Sequence, residues 1–379
     1  MASKTGYRPP FANLSSAMSH RFFPPDSPHQ PDAHPLGRRG YRLGHIQSAA
    51  TTVSPLEDFG HRWAAQHAIH LPGWLDLTPW QAALRSSERL VTGLLEDEDW
   101  EDLLEHCGIL PRLKEYQWLA TVFDDSDPQA IARLDFAPGD DEEGEVWMKA
   151  SWLSLHEEDP SLRFRFSHGL DRYEDVAADP ARQALSSALC ERFFPESKAI
   201  TAHQTLTELL GRHLGGGIRY VERIVYFNAP DGGAQFHQDV ERGHAGVVYA
   251  QLSGETFWFA LPKTTLMAQF AALFHSPSAR EELIRLLGER ETRRLEAIAA
   301  DPAALDRLMD DLGEEALPVA LNQSSHLAER LIASGFGYHL RAGDLLLLPQ
   351  RDLHHCCWHS VFCLGEVMGE ALSFAIRVD

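Results

Sequence analysis

The residues best suited to chemistry form a split set: His237 and Asp239 in Phe236-His-Gln-Asp239, and His359 far downstream in Trp358-His-Ser-Val361. On an extended segment, side chains two positions apart point the same way, so His237 and Asp239 share a face while Gln238 faces the opposite side. Two neutral imidazoles and one carboxylate make the facial donor set of a non-haem Fe(II) site. Such a set leaves three coordination positions open, two for a keto acid and one for oxygen. His359 is the candidate third donor, with Val361 and Cys363 as apolar wall on its own face of the strand.

These residues need a rigid sheet to bring them together. Arg219–Phe227 reads as a strand, Pro230-Asp-Gly-Gly233 as a turn, and Gly246–Leu252 and Glu255–Leu261 as a hairpin joined at Ser253-Gly254. Strands return at Gly335, at Gly343–Pro349, at Cys357–Leu364 and at Ala371–Val378. Between the two blocks, Thr264 to about Ser334 has helical periodicity. Upstream, Trp74–Leu95 and the stretch through Phe123 read as helical, and Glu145–Leu155 with Leu162–Ser167 as a hairpin. Pro180–Phe194 and Thr201–His213 read as helices, the second ended by Gly215-Gly-Gly217. Residues 1–55, rich in Pro, Ser, His and Gly, read as a mobile arm. The domain reading is therefore an arm (1–55), a mainly helical region with a hairpin (56–217), a first core block (218–264), a helical insertion (265–335) and a second core block (336–379).

The composition fits this reading. The chain has 379 residues, 44% hydrophobic and 23% charged, enough for a full core. A net charge of -21 repels phosphate backbones and excludes nucleic acid as the expected partner. The acid is concentrated in Glu96–Asp102, Asp124–Asp127 and Asp140–Glu145, read as solvated helix ends and loops. No run approaches a membrane span and the N-terminus lacks a signal-type apolar region. Five cysteines at irregular spacing, three of them around His359, suit a reducing compartment, so the expected location is cytoplasmic.

Phe236-His237-Gln-Asp239, then Tyr249-Ala-Gln-Leu-Ser-Gly254, a strand ending Leu-Pro-Lys263, Gly343-Asp-Leu-Leu-Leu-Leu-Pro349 and Trp358-His359-Ser-Val361 together resemble the JmjC-like branch of the cupin superfamily. The resemblance covers about 218–264 and 336–379. It implies an α+β protein with a double-stranded β-helix (jelly-roll) core, Fe(II) and 2-oxoglutarate as cofactors, and O2 plus a further substrate as partners. The distal histidine of that family falls about ten residues after the Gly-Asp aspartate, which is His354, so the third ligand stands between His359 and His354. Where the family often has a cosubstrate lysine this chain has Thr256. Many related oxygenases use an arginine after the distal histidine, and a hairpin between 364 and 371 would bring Arg377 there. Tyr226 and Thr256 are the hydroxyl candidates beside it.

The expectation is an Fe(II)/2-oxoglutarate oxygenase hydroxylating an amino acid, a peptide or protein side chain, or a small metabolite. A cupin-type metal enzyme without the keto acid and a non-catalytic cupin-like binding protein stand as alternatives. The helical insertion is open to two roles, a lid or a homodimer surface.

Overall fold

The computed structural model describes residues 20–28, 30–48, 56–124, 126–139, 145–155, 158–169, 179–241, 243–311 and 313–379. Most of the acidic run 140–145 and the first nineteen residues of the expected arm lie outside that set. The strands, in chain order, are β1 (Arg21–Phe23), β2 (His34–Arg38), β3 (Tyr41–Gln47), β4 (Ile69–Leu71), β5 (Tyr116–Val122), β6 (Ala130–Pro138), β7 (Val146–Trp152), β8 (Leu162–His168), β9 (Ile218–Asn228), β10 (Gly246–Gln251), β11 (Glu255–Pro262), β12 (Gly337–Leu340), β13 (Leu345–Asp352), β14 (His355–Leu364) and β15 (Gly369–Val378).

Twelve of them form one antiparallel system in the order β12-β11-β14-β13-β10-β15-β9-β8-β7-β6-β5, with β4 also on β13. The system folds over on itself. β14 pairs with β13 only near Cys356 and His355, then continues along β11 from Cys357 to Leu364. The β11–β12–β14 layer therefore faces the β13–β10–β15 layer, and the space between them is filled by Val247, Tyr249, Trp258, Ala260, Leu346, Leu348 and Val361. Tyr249 meets Trp258 across this space with ring centroids 4.5 Å apart.

Each layer also buries its outer face. Helices Gln81–Leu95, Pro180–Phe193 and Gln204–Leu214 cover the larger sheet, placing Leu90, Leu189, Phe193 and Leu210 against Phe164, Phe374 and Ile376. These helices start and stop where their residues dictate. Asp179 caps the second through the amides of Ala181 and Arg182, and Gly215 ends the third at φ 84°. The insertion, Lys263–Ala333, is helical throughout its main elements and packs Leu266, Phe270, Leu283 and Leu331 on Phe257, Phe259 and Phe362 of the smaller layer. Lys263, buried, anchors it by bonding Asp310 at 2.8 Å and Asp306 at 2.8 Å.

Three expectations need correction. Residues 20–48 are not a loose arm: β1, β3 and β2 form a three-stranded sheet whose Leu36, Leu43 and Ile46 are buried against the insertion and the smaller layer. The Pro and Gly that suggested disorder sit at its turns and at a bulge in β2–β3. The stretch through Phe123 is not helical to its end. Helix Trp100–His106 stops short, and Tyr116–Val122, rich in aromatic and β-branched residues, is the edge strand β5 paired to β6. Finally, β14 and β15 are not a paired hairpin. β15 runs between β10 and β9, and β14 pairs with β11.

One packing detail carries a pH dependence. Glu196 and Glu370 are buried side by side, at 0% and 3% exposure, with Ser87 donating to Glu196. Burial raises the pKa of both carboxyls, and at Glu370 the neighbouring Glu196 charge adds to it. Their folded pKa values stand above the unfolded value of about 4.3, so the stability they contribute is full below that pH and is lost as pH rises through the folded values. Glu370→Gln is expected to melt higher than the parent at pH 8.5, with the gap closing toward pH 5. Each released proton is worth up to about 1.4 kcal/mol per pH unit in that window. Equal melting curves for the two proteins across that range would contradict it.

Candidate metal centre and its cavity

The chain leaves β9 at Asn228, turns at Pro230–Gly233 and then runs antiparallel along the free edge of β14. Ala234 and Val361 exchange backbone hydrogen bonds at 3.1 and 2.8 Å, and His237 and His359 exchange two at 2.9 Å each. Directly opposed residues on antiparallel segments project to the same side. The imidazoles consequently meet with centroids 4.1 Å apart. The approach requires Gly233, at φ 126°, because a Cβ there would sit 2.1 Å from the Val361 carbonyl oxygen.

Asp239 completes the group. Its carboxylate oxygens lie 3.5 Å from His237 Nε2 and 3.3 Å from His359 Nε2, and one ligand atom from each residue falls within 4.8 Å of the others. The other ring nitrogens are held by backbone. His237 Nδ1 donates to the Gln235 carbonyl at 2.7 Å, and His359 Nδ1 faces the Cys357 carbonyl at 3.4 Å. With Nδ1 protonated, each ring would present its Nε2 lone pair beside Asp239, the tautomer a metal needs. Trp258 stacks on the His359 ring at 5.4 Å and fixes its plane.

The electrostatics favour the same protonation states. Enclosure, then the neighbouring His359, lowers the His237 pKa to about 4, so the ring is neutral at pH 7. Burial pushes the Asp239 carboxyl up, but His359 and His237 outweigh it and hold the group below the usual carboxylate range. Two imidazoles and an ionised carboxylate at this spacing are a donor set suited to a divalent metal such as Fe(II).

The three donors open onto a cavity of about 360 Å³. β8 and β9 contribute to its wall. Arg163 lies opposite Tyr226 in the β8–β9 register, and Arg165 opposite Ile224. Arg163 has no ion-pair partner among the described residues, and its buried Nε has no hydrogen-bond partner. Tyr226 is pushed up to about 12 by burial and by the Asp239 charge, so its phenol stays protonated and able to donate. Glu222, also in the lining, occupies a left-handed backbone position (φ 46°) at the β9 bulge. Burial, then Glu241, raises its pKa to about 8.

Two solved oxygenases resemble this chain. One is an oxidoreductase of the 2OG-Fe(II) oxygenase family from Burkholderia pseudomallei, with 10% identity, a TM-score of 0.30, and coverage of 87% of this chain and 93% of that one. The other is YcfD, a ribosomal oxygenase from Escherichia coli, with 14% identity, a TM-score of 0.28, and coverage of 86% of this chain. The match spans about half (52%) of YcfD. No protein-family model and no curated protein sequence matches the chain.

The other candidate residues divide. Tyr226 lines the cavity. Thr256 does not: it is buried between the layers, donating to Gln251 at 2.8 Å and accepting from the Trp258 indole at 3.0 Å. Arg377 lies on β15 opposite Arg219, with its guanidinium beside Gly243 outside the cavity lining, because the hairpin that would have brought it to His359 does not exist. His354 is exposed in the β13–β14 turn, 3.4 Å from Asp306 of the insertion, and does not face Asp239. Arg163 and Arg165 were missed. Their alternation with Phe164 and Phe166 puts both on one face of β8, but only the pairing of β8 to β9 shows that this face looks into the cavity.

Proposed function

We propose that this chain is an Fe(II)- and 2-oxoglutarate-dependent oxygenase built on a double-stranded β-helix, with His237, Asp239 and His359 as the metal ligands. The carrying observation is the convergence of two backbone-tethered imidazoles and one ionised carboxylate, Nε2 and Oδ atoms inward, on a cavity. The buried, unpartnered Arg163 Nε in the cavity wall supports the keto acid, since a buried donor without a partner is costly unless a ligand satisfies it.

Fe(II) with 2-oxoglutarate and O2 supplies, when bound, oxidation of a substrate C–H bond to an alcohol with release of succinate and CO2. The protein's own part is positional. His237, Asp239 and His359 would hold the metal at the cavity wall, with the rest of the cavity available to cosubstrate and substrate. Arg163 and the neutral Tyr226 phenol sit side by side where they would pair with the far carboxylate of the keto acid, a charge-assisted bond joined to a neutral one. Trp258, stacked on His359 and packed edge-on against Tyr249, shields one face of that imidazole. Among the described residues no helix is long and apolar enough to cross a membrane.

The test is anaerobic loading with Fe(II), addition of 2-oxoglutarate and air, and assay of succinate. Metal-dependent succinate formation without added substrate is the expected slow, uncoupled result. Stoichiometric metal binding with no succinate under any of these conditions would favour a metal-dependent enzyme that does not use the keto acid.

A further inference from the structure

Arg38 is an anomaly. It ends β2 of the N-terminal sheet, is 8% exposed, and has no carboxylate partner among the described residues. A buried guanidinium remains charged, so such a placement is costly unless its hydrogen bonds do something a smaller residue would not. Those bonds are specific. One nitrogen, Nη2, donates to Ser360 Oγ at 2.7 Å and to Asn322 Oδ1 at 3.2 Å. The guanidinium lies 4.3 Å over the Phe362 ring.

Each partner leads to a metal ligand. Ser360 follows His359 and donates to the Ala234 carbonyl at 3.2 Å, tying β14 to the segment that carries His237. Asn322, from helix Ala316–Gln323 of the insertion, uses the same Oδ1 to accept from the Phe236 amide at 2.8 Å, one residue before His237. Its own amide is held by the Pro318 carbonyl at 2.8 Å, which fixes which end faces Arg38. The next residue, Arg39, grips the start of the same segment: its backbone amide donates to the Asp231 carbonyl at 2.9 Å and its Nη2 to the Pro230 carbonyl at 3.2 Å.

We propose that Arg38 is a positioning residue for the metal centre, holding the His237 and His359 segments in register through Asn322 and Ser360, so that the N-terminal sheet and the insertion are both parts of the site. Arg38 itself lines no part of the cavity. It acts on the ligands only through backbone and through these two side chains. This rests on the assignment of His237, Asp239 and His359 as ligands.

The experiment measures Co(II) and Fe(II) affinity of the full chain, the Co(II) visible spectrum, and amide exchange at Phe236 and His237 in the metal-free protein. The proteins compared are the parent, Arg38→Met, Asn322→Leu, Asn322→Asp, Ser360→Ala and the double variant Arg38→Met/Asn322→Leu. Supporting residues around metal ligands typically change affinity by about 10- to 100-fold, and Arg38→Met and Asn322→Leu are expected in that range with an altered Co(II) spectrum. Asn322→Asp keeps the oxygen that accepts from Phe236 and Arg38, and is expected to retain affinity within about threefold, well inside that range. The double variant Arg38→Met/Asn322→Leu is expected to lose little beyond either single change, because both cut one network. Phe236 and His237 amides are expected to exchange faster in Asn322→Leu. Should Arg38→Met fail to fold, the Asn322 pair and Ser360→Ala decide.

Variants that melt lower yet bind metal as the parent does, with unchanged spectra and exchange, would reduce Arg38 to a structural residue and overturn the proposal. A parent chain that binds neither metal overturns the ligand assignment, and the proposal with it. Binding by the parent together with normal binding by the variants overturns the proposal alone.

Discussion

Asp239→Asn is expected to leave the fold intact and to remove tight Fe(II) binding. The side chain keeps its size and one oxygen, so packing around it changes little. What disappears is the negative charge in the three-residue set. A neutral amide beside two neutral imidazoles leaves the dication uncompensated in an enclosed site, where charge interactions are least screened. Changes to residues that merely support ligands already weaken metal binding by about 10- to 100-fold, so loss of a ligand charge should weaken it by at least about 100-fold. Metal content after desalting, set against circular dichroism of the same sample, is the measurement. Undiminished Fe(II) binding would remove Asp239 from the site.

Arg163→Met is expected to raise the KM for 2-oxoglutarate about 100-fold while leaving Fe(II) affinity within a few-fold. Hydrogen bonds to charged groups contribute about 1.5–3 kcal/mol each, and a guanidinium that makes two to one carboxylate reaches the ~2.7 kcal/mol that corresponds to two decades. Tyr226→Phe removes a neutral donor and should cost only about five- to tenfold in the same KM. The split between KM and metal affinity is diagnostic. Arg163 stands on β8, in the cavity lining but outside the three-residue ligand set, so an effect on metal binding would mean it acts in some other way.

Much of the core was legible in the residues. The strands around His237 and His359 alternate or are uniformly apolar, their turns carry Gly and Pro, and the insertion is helical by periodicity. Those signals are local, and local signals survive folding. Pairing is not local. The expectation that Arg377 would meet His359 depended on β14 and β15 lying side by side, and nothing in either strand states its neighbour. Both are buried almost throughout, so each offers two equally apolar faces and two equally competent edges. Arg163 escaped notice for the same reason in reverse. Its alternation with Phe164 was visible, yet an arginine on the outward face of a hairpin is ordinarily solvated. Only the docking of β8 onto β9 turns that face into a cavity wall. Arg38 was hidden by composition, since a Pro- and Gly-rich segment that folds against another element looks much like one that does not.

β11 and β12 pair with each other, so the chain leaves the sheet at Pro262 and re-enters it on the adjacent strand at Gly337. Topologically the whole insertion is the turn of a hairpin. Lengthening such a turn adds little closure entropy, and its helices shorten the effective gap by folding on themselves. A lineage could therefore rebuild this insertion extensively without unpicking the sheet, provided that whatever replaced it still presented an oxygen to the Phe236 amide. Drift in the insertion and conservation of that single contact would leave a readable trace in any set of related chains.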